Sequence, residues 1–402
     1  MTRARFLDRT TPPHVATLIL IAGLSALAMN IFLPSLPAMT AHFGTDIRVM
    51  NLAIAGYLGV NAALQVLIGP VADRFGRRPV ILAGLVLFTL ASLGCLVAPT
   101  VEIFLLCRMA QAIVAVCFAV SRAMIRDMVP AEEAASMIGY VTMGMAIVPM
   151  IGPAIGGELE QAFGWRASFV ALALAGLAVG LIAWRDLGET ATGSFTGFAR
   201  QIRDYPQLFA SPRFWGYCLA SAFSSGAFFA FLGGAPFVGS EVFGLAPDRI
   251  GYFIGAPALG YAAGNYVSGR FSRLAGLDRM VLWGTLVTAF GTGLSLALTG
   301  LGLTGAWSFF GLMTLVGLGN GMTIPNATAG MLSVRPHLAA TASGLGGAIM
   351  LGGGAALSAL AGAVLAPESG PAPLQWIMFL TALVAVLSIL LVIRRARRNA
   401  AR

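Results

Sequence analysis

The chain has 402 residues, of which 58% are hydrophobic and only 10% are charged, and its mean hydropathy is +0.85. So few charged residues cannot cover the surface of a soluble domain of this length. The composition therefore excludes a soluble fold and predicts that lipid covers the outer surface of the protein. The net charge of +9 comes from 25 arginines, and because basic residues also orient membrane helices, it requires no nucleic-acid partner.

Twelve apolar runs of spanning length follow one another along the chain, since about 20 residues at 1.5 Å rise cross a hydrocarbon core of about 30 Å. The sequence therefore predicts an all-α membrane protein with helices at 14–38, 48–71, 79–98, 101–122, 134–158, 165–184, 213–237, 250–271, 279–299, 303–326, 339–365 and 373–393. The first run lacks a small-residue cleavage site, so we expect it to stay in place as a membrane helix.

The longest polar interruption, 185–212, lies halfway along the chain and indicates two halves. The predicted domains are an N-terminal tail (1–13), a six-helix bundle (14–184), a cytoplasmic linker (185–212), a second six-helix bundle (213–393) and a basic tail (394–402). "DRFGRR" at 73–78 is similar to "GRFSRL" at 269–274, 196 residues further on. This similarity indicates an internal duplication and a pseudo-twofold relation between the bundles.

The arginines predict the orientation. With both termini in the cytoplasm, Arg48, Arg166 and Arg249 lie outside and Arg108 lies within a span, while the remaining arginines fall in cytoplasmic segments. The opposite orientation would invert this distribution, so the positive-inside rule predicts cytoplasmic termini.

No pattern of catalytic or metal-binding residues is evident. The four cysteines lie in apolar runs without paired spacing, and the three histidines lie at the ends of runs, so we expect free thiols and no metal site. A chain without lysine has no phosphate-binding loop of the kind that hydrolyses ATP. We therefore expect neither enzyme activity nor a cofactor.

Polar residues within the first-half runs predict a pocket. "ALAMNIFLPSLP", residues 26–37, places the amide of Asn30 ahead of two prolines that bend the helix. Arg108 lies roughly 12 Å from the outer end of the fourth run, where burial of a guanidinium costs about 2.5 to 3.5 kcal/mol. Polar residues at a similar depth or one turn further in are Tyr57, Asn61 and Gln111. We expect a water-filled pocket; an interhelical hydrogen bond of Asn30 and a structural role of Arg108 are the alternatives.

The second half offers aromatic residues instead of charge. "FSSGAFFAFLGGAPF", residues 223–237, contains Phe223 and Phe228, and Asn320 is a polar candidate in the tenth run. Lipid-facing positions are the alternative for such aromatic side chains. A pocket lined in this way would suit neutral or weakly amphipathic small molecules.

Two further motifs lie at the predicted cytoplasmic side and in the fifth run. "GPVADRFGRRPV", residues 69–80, combines turn glycines with an acid that can meet a helix N-terminus or a neighbouring arginine. We call these residues together the charge cluster. It consists of the two turn glycines, Gly69 and Gly76, and the charged residues Asp73, Arg74, Arg77, Arg122 and Arg126. The alternative for its arginines is that they only set the topology.

"GMAIVPMIGPAIGG", residues 144–157, combines a small-residue packing face with two prolines that bend the helix. The sequence predicts a hinge formed by Gly144, Pro149, Gly152, Pro153, Gly156 and Gly157. An ordinary kinked packing helix is the alternative.

These motifs carry a family resemblance over essentially the whole chain. "GPVADRFGRRPV" resembles the signature between helices two and three of the major facilitator superfamily, and "GMAIVPMIGPAIGG" is similar to the fifth-helix signature of its drug and proton antiporters. "NIFLPSLP", "CRMAQAI" and "GLGNGMTIPNATAG" with "AATASGLGG" resemble the bicyclomycin and chloramphenicol resistance exporters of that branch.

The resemblance implies a major facilitator fold in a bacterial inner membrane and a monomer that exports small organic compounds with protons as the coupling ion. It also implies that the charge cluster closes the cytoplasmic side and that Arg108 contributes to the cavity and to coupling. Many of these exporters carry aspartate where this chain has Asn30, and an amide cannot exchange a proton near neutral pH.

Coupling through an acid on the first helix is therefore not expected. Asp73, Asp127, Glu102 or the substrate's own proton could serve instead, or coupling could be absent. A facilitator for a metabolite such as an amino acid or a sugar is the alternative function, and a receptor that has lost transport is a third.

Overall fold

The computed structural model describes residues 5–128, 137, 148, 151–190, 206–335, 338–366 and 369–400. This part of the chain is helical and contains no β-strand. The helices are α1 (Val15–Asn30), α2 (Leu36–Phe43), α3 (Ile47–Met50), α4 (Leu52–Phe75), α5 (Arg77–Val97), α6 (Val101–Ala110), α7 (Ile113–Met128), α8 (151–163), α9 (Arg166–Asp186), α10 (Pro212–Phe237), α11 (Pro247–Ala275), α12 (Leu277–Gly300), α13 (Ala306–Val334), α14 (Ala339–Val364) and α15 (Ala372–Ala400).

Nine stretches of the described residues are long and apolar enough to cross a membrane. They are Val15–Phe43, Ile47–Ile68, Arg77–Val97, Val101–Ile125, Arg166–Asp186, Pro212–Val242, Leu277–Gly300, Thr341–Val364 and Ala372–Arg398, and each overlaps a predicted run. The runs 250–271 and 303–326 form the 29-residue helices α11 and α13, which are not among these nine stretches. Most of the run 134–158 lies outside the described residues.

Two of the predicted runs are broken rather than continuous. After α1 the chain forms a 3₁₀ turn, Leu33–Ser35, before α2 begins, and a proline lies in the first turn of each piece because proline lacks the N–H that a helix interior needs. The fourth run breaks at Gln111, where the N–H of Ala112 donates to a carbonyl only three residues back, at 3.1 Å. Such local tightening inside a helix is common at functional sites.

The same backbone turn joins α4 to α5 and α11 to α12. Gly76 has φ 91° and ψ 153°, and Gly276 has φ 84° and ψ 154°, a region that essentially only glycine adopts. The two glycines are 200 residues apart, so the structural repeat is shifted by four residues from the 196-residue spacing of the motif match. In this register Leu277 and Asp278 correspond to Arg77 and Arg78, and the repeat is one of backbone shape rather than of charge.

Glycines bring α11 and α13 into backbone contact. A Cβ atom added to Gly260 would overlap the carbonyl oxygen of Thr314, and one added to Gly317 would overlap that of Pro257. Gly264 and Gly321, each four residues further along, continue the contact. These small-residue faces allow the close packing typical of membrane helices.

The buried carboxylate of Asp186, at the end of α9, binds the N-terminal segment, residues 5–14. Its two oxygens accept hydrogen bonds from the backbone N–H of Leu7 at 2.7 Å and of His14 at 3.0 Å. The side chain of Asp186 is fully buried. The segment therefore packs against the first-half helices instead of extending into solvent.

Replacing Asp186 by alanine should release this segment, because hydrogen bonds to a charged acceptor contribute about 1.5 to 3 kcal/mol. We expect faster hydrogen exchange at the Leu7 and His14 amides, measured by mass spectrometry, with exchange in α9 unchanged. Asp8→Ala is the matched control, since hydrogen bonds from Thr10 lower the pKa of this exposed carboxyl but stay local. Equal exchange in both variants would contradict the role of Asp186.

Candidate functional site

The guanidinium of Arg108, near the end of α6, lies fully buried against two aromatic rings. Its Cζ lies 4.1 Å from the ring centroid of Tyr57 on α4 and 4.3 Å from that of Phe32, next to the 3₁₀ turn. Aromatic faces stabilise a cation that has lost its water. Phe32 was not predicted, because one phenylalanine in an apolar run carries no sequence signal.

A chain of hydrogen bonds orients the guanidinium. Arg108 Nη1 donates to Gln111 Oε1 at 2.8 Å, and Gln111 Nε2 donates to Ser92 Oγ at 2.7 Å. Ser92 Oγ in turn donates to the carbonyl oxygen of Phe88 at 2.8 Å. Gln111 is thus held from both ends of its amide. Ser92 is another residue that sequence reasoning missed, since nothing distinguishes a lone serine in a membrane helix.

Arg108, Tyr57, Phe32 and Gln111 form one layer, which we call the Arg108 layer. Three hydrogen-bond donors of this layer lack a partner. Arg108 Nε and Nη2 and the hydroxyl of Tyr57 are buried and make no hydrogen bond within the described part of the chain. Nor does any carboxylate there form an ion pair with Arg108. The layer is also closed, with exposed fractions of 0% for Arg108 and 1% for Tyr57. Aromatic rings lie against the cation within this closed layer, and the predicted water-filled pocket stays a prediction.

The amides of Asn30 and Asn61 bond within their own helices. Asn30 Nδ2 donates to the carbonyl oxygen of Ala26 at 2.7 Å, and Gln65 Nε2 donates to Asn61 Oδ1 at 3.4 Å. Neither makes a hydrogen bond to Arg108, and the bond of Asn30 is not an interhelical one. Asn30 is 3% exposed and lies at the last turn of α1.

The second-half candidates form a separate group. Asn320 on α13 accepts a hydrogen bond from Ser224 Oγ on α10 at 2.7 Å, and both side chains are buried. Phe223 and Phe228 are half-buried, and the ring of Phe228 packs against Phe229 with centroids 5.9 Å apart. Of the predicted cavity residues, Tyr57 and Gln111 thus contact Arg108, whereas Asn320 bonds to Ser224 in the second half.

The predicted charge cluster contains an ion pair that spacing did not predict. Arg77 Nε lies 2.5 Å from Asp127 Oδ2, with side chains 15% and 20% exposed. The carboxylate of Glu189 accepts the backbone N–H of Arg77 at 3.0 Å and of Arg78 at 3.1 Å, which caps the start of α5.

Two other arginines of this cluster lie close to phenylalanine rings. Arg74 is exposed, with its Cζ 5.4 Å from the Phe75 ring, and the Cζ of Arg122 lies 4.6 Å from the Phe118 ring. Positions outside the described side chains are Gly69, Asp73 and Arg126.

Helix α8 is wedged between the turn after α1 and the start of α11. A Cβ atom on Gly156 would overlap the carbonyl oxygen of Ile31, and one on Gly157 would lie 2.5 Å from that of Pro247. On the other side of this contact, a Cβ atom on Gly251 would overlap the carbonyl oxygen of Pro153. Gly152 faces Leu27 and Asn30, while Gly144 and Pro149 lie outside the described residues.

First-half and second-half helices also meet through two hydrogen bonds at the predicted outer end. Tyr252 Oη donates to Glu158 Oε1 at 2.9 Å, and Asn51 Nδ2 donates to the carbonyl oxygen of Ser358 at 2.8 Å. Asn51 directly precedes α4, and Tyr252 lies in the second turn of α11. The Arg108 layer therefore lies below an end at which these helices are closed together.

Comparisons with known proteins agree on one family. The model of the Major Facilitator Superfamily matches residues 18–359 and 240–402. The chloramphenicol resistance protein of Pseudomonas aeruginosa is 31% identical over 363 residues, which cover 83% of this chain and 82% of that protein. The bicyclomycin resistance protein homolog of Haemophilus influenzae is 26% identical over 369 residues, covering 90% and 92%.

Among solved structures, the fold is similar to that of a bacterial homolog of the human lysosomal transporter Spinster in an inward-facing and occupied conformation. The TM-score is 0.72 at 19% sequence identity, and the match covers 95% of this chain and 96% of that one. At this identity the likeness shows the fold.

Proposed function

Because this chain belongs to the Major Facilitator Superfamily, whose members are transporters and not enzymes, we propose that it exports small organic compounds by alternating access across a bacterial inner membrane. The family resemblance of the motifs is confirmed by the match over most of the chain. Relatives named for resistance to chloramphenicol and to bicyclomycin support a drug-like cargo.

The proposed architecture consists of twelve membrane helices in two six-helix bundles, 14–184 and 213–393, with both termini in the cytoplasm. The repeated turn at Gly76 and Gly276 supports two related halves, and the distribution of the arginines supports the orientation. We expect the chain to act as a monomer.

The observation that carries the function is the buried, incompletely paired guanidinium of Arg108. A charge at this depth costs about 2.5 to 3.5 kcal/mol to insert, and an arginine with only a structural role would have its donors satisfied. Two guanidinium nitrogens of Arg108 have no partner in the described residues. This arrangement supports a binding role for Arg108 in a central site.

Proton coupling in this proposal does not use the first helix, because Asn30 cannot ionise. Asp127, which pairs with Arg77, and Glu102 are the described acids that could replace it, and the substrate's own proton is a further candidate. A carrier without coupling, for a metabolite such as an amino acid or a sugar, is the second candidate. The amide of Asn30 favours this second candidate, the uncoupled carrier.

Drug accumulation in pump-deficient bacteria tests the function. Cells expressing the wild type should hold severalfold less chloramphenicol than cells with an empty vector, and only while the proton gradient is intact. Arg108→Ala should accumulate the drug like the vector control. Arg166→Ala is the matched variant, because this exposed arginine also packs on an aromatic ring but lies at the predicted outer end; it should export normally.

Each outcome has a defined meaning at equal membrane expression. Export that persists with a protonophore would contradict proton coupling and favour the uncoupled carrier. Drug levels equal to the vector control under both conditions would contradict export of this class of compound.

A further inference from the structure

We propose that the free edge of the Arg108 guanidinium is a binding site for a carboxylate group, so that the transporter accepts organic anions besides neutral drugs and rejects lipophilic cations. This inference rests on the proposed function and names the substrate class. It follows from three features of the site: the geometry of the free edge, the absence of a nearby counter-charge in the described residues, and the closed state of the layer.

The free edge has the geometry of a carboxylate receptor. Nη1 donates to Gln111. The two nitrogens left without a partner, Nε and Nη2, lie along one edge of the planar guanidinium group. Two parallel N–H groups on one edge match the two oxygens of a carboxylate, which is the preferred bidentate pairing of arginine. Gln111 cannot turn to this edge without giving up its hydrogen bond to Ser92.

The surroundings of this edge favour anions. The hydroxyl of Tyr57, in the same layer, is a further group without a partner, so the unsatisfied groups include three that can donate. A donor-rich site with a full positive charge attracts oxyanions. A cationic compound would meet a like charge, and the described residues supply no carboxylate at Arg108 to offset the repulsion.

The closed state couples anion binding to conformational change. In the structure the edge is buried while unpaired, which is an unfavourable arrangement for a charge. A cargo carboxylate that pairs with Arg108 removes this penalty, so it stabilises the closed, loaded carrier relative to the closed, empty one. The anion thereby supplies the counter-charge that an amide at position 30 cannot provide.

Binding measurements on the purified full chain test the site without requiring transport. Equilibrium dialysis at pH 7 would use three probes that share one ring system: 2-naphthoate, its methyl ester and 2-naphthylmethylammonium. We expect 2-naphthoate to bind at least about tenfold more tightly than the ester, as for a charge-assisted bidentate pair, and the ammonium compound to bind most weakly.

Two variants separate the free edge from other contacts. Arg108→Gln should bind the acid and the ester equally. Arg166→Gln is the matched control, because that guanidinium packs on the Trp165 ring at 4.5 Å but has Nε directed to the Leu96 carbonyl oxygen and Nη2 to His42. It should keep the full preference for the acid.

Gln111→Glu provides a test that retains Arg108. The new carboxylate would neutralise the guanidinium at Nη1, so the affinity for 2-naphthoate should fall about tenfold relative to that for its ester, and size-exclusion chromatography checks that the variant is folded. This variant decides the question if Arg108→Gln binds none of the probes. An acid preference that persists in Gln111→Glu then overturns the anion site.

The two proposals fail in different ways. Equal binding of acid and ester by the wild type, or an acid preference that survives in a folded Arg108→Gln protein, overturns the anion site even if chloramphenicol is exported. An Arg108-dependent acid preference without export of any compound supports the site and contradicts the transport function.

Discussion

Replacing Gly156 by alanine is expected to lower the yield and the thermal midpoint of the folded protein. The added Cβ would overlap the carbonyl oxygen of Ile31 and lie 2.7 Å from its carbonyl carbon. These are backbone atoms of the turn after α1, so no side-chain rotation relieves the overlap and α8 must move. Overpacking typically costs about 1 to 3 kcal/mol. Because the added Cβ meets backbone atoms, we expect a cost of about 3 kcal/mol or more, which is a large part of a typical free energy of unfolding.

The measurement is the yield of monodisperse protein in size-exclusion chromatography and its thermal midpoint. Gly311→Ala is the matched control, because Gly311 lies in α13 with no atom within 4 Å of an added Cβ. Alanine is the better helix former by about 1 kcal/mol, so this variant should match or exceed the wild type. If both variants have the same midpoint, the close approach of α8 to Ile31 is wrong.

Replacing Asn30 by aspartate is expected to make export depend more steeply on the proton gradient. An ionised carboxylate cannot donate to the Ala26 carbonyl oxygen as the amide does, so it must find donors elsewhere. Arg108, with two unpaired nitrogens, packs on Phe32 only two residues further along the chain. Pairing there would give the first helix a group that exchanges protons and would occupy the anion site.

Two readouts check this variant. Drug accumulation with and without a protonophore should differ more for Asn30→Asp than for the wild type, and the preference for 2-naphthoate over its ester should fall by about tenfold. Asn30→Ala is the control, since it removes the Ala26 hydrogen bond without adding an acid. Identical behaviour of the aspartate and alanine variants would show that no coupling passes through this position.

Length and hydropathy located the nine stretches of the described residues that can cross a membrane, because about 20 apolar residues can do little else in a bilayer. They did not predict where helices break. Proline marks the interruption after α1, but the break at Gln111 has no such residue. Its side chain is held by Ser92 on α5, and a contact between distant segments leaves no local pattern.

Depth along a helix predicted which polar residues share a layer, but not which of them meet. Arg108, Tyr57 and Gln111 are in contact, whereas Asn30 and Asn61 bond within their own helices. Rotation about the helix axis decides this difference, and a nearly uniform apolar surface gives little periodicity from which to derive it.

Sequence spacing did not predict which acid pairs with Arg77. Asp127, fifty residues away on α7, forms the ion pair, and the acid within the motif gave no indication of it. Pairs of this kind are set by the packing of whole helices rather than by the local sequence.

The identical turns at Gly76 and Gly276 have diverged in chemistry. In the first half the turn leads into arginines bound by Asp127 and Glu189, whereas in the second half Asp278 accepts a hydrogen bond from Tyr217. Salt in the surrounding solvent screens a partly exposed ion pair such as that between Arg77 and Asp127. High ionic strength is therefore expected to weaken the contact between the start of α5 and the end of α7, so the packing at this turn depends on the surrounding medium.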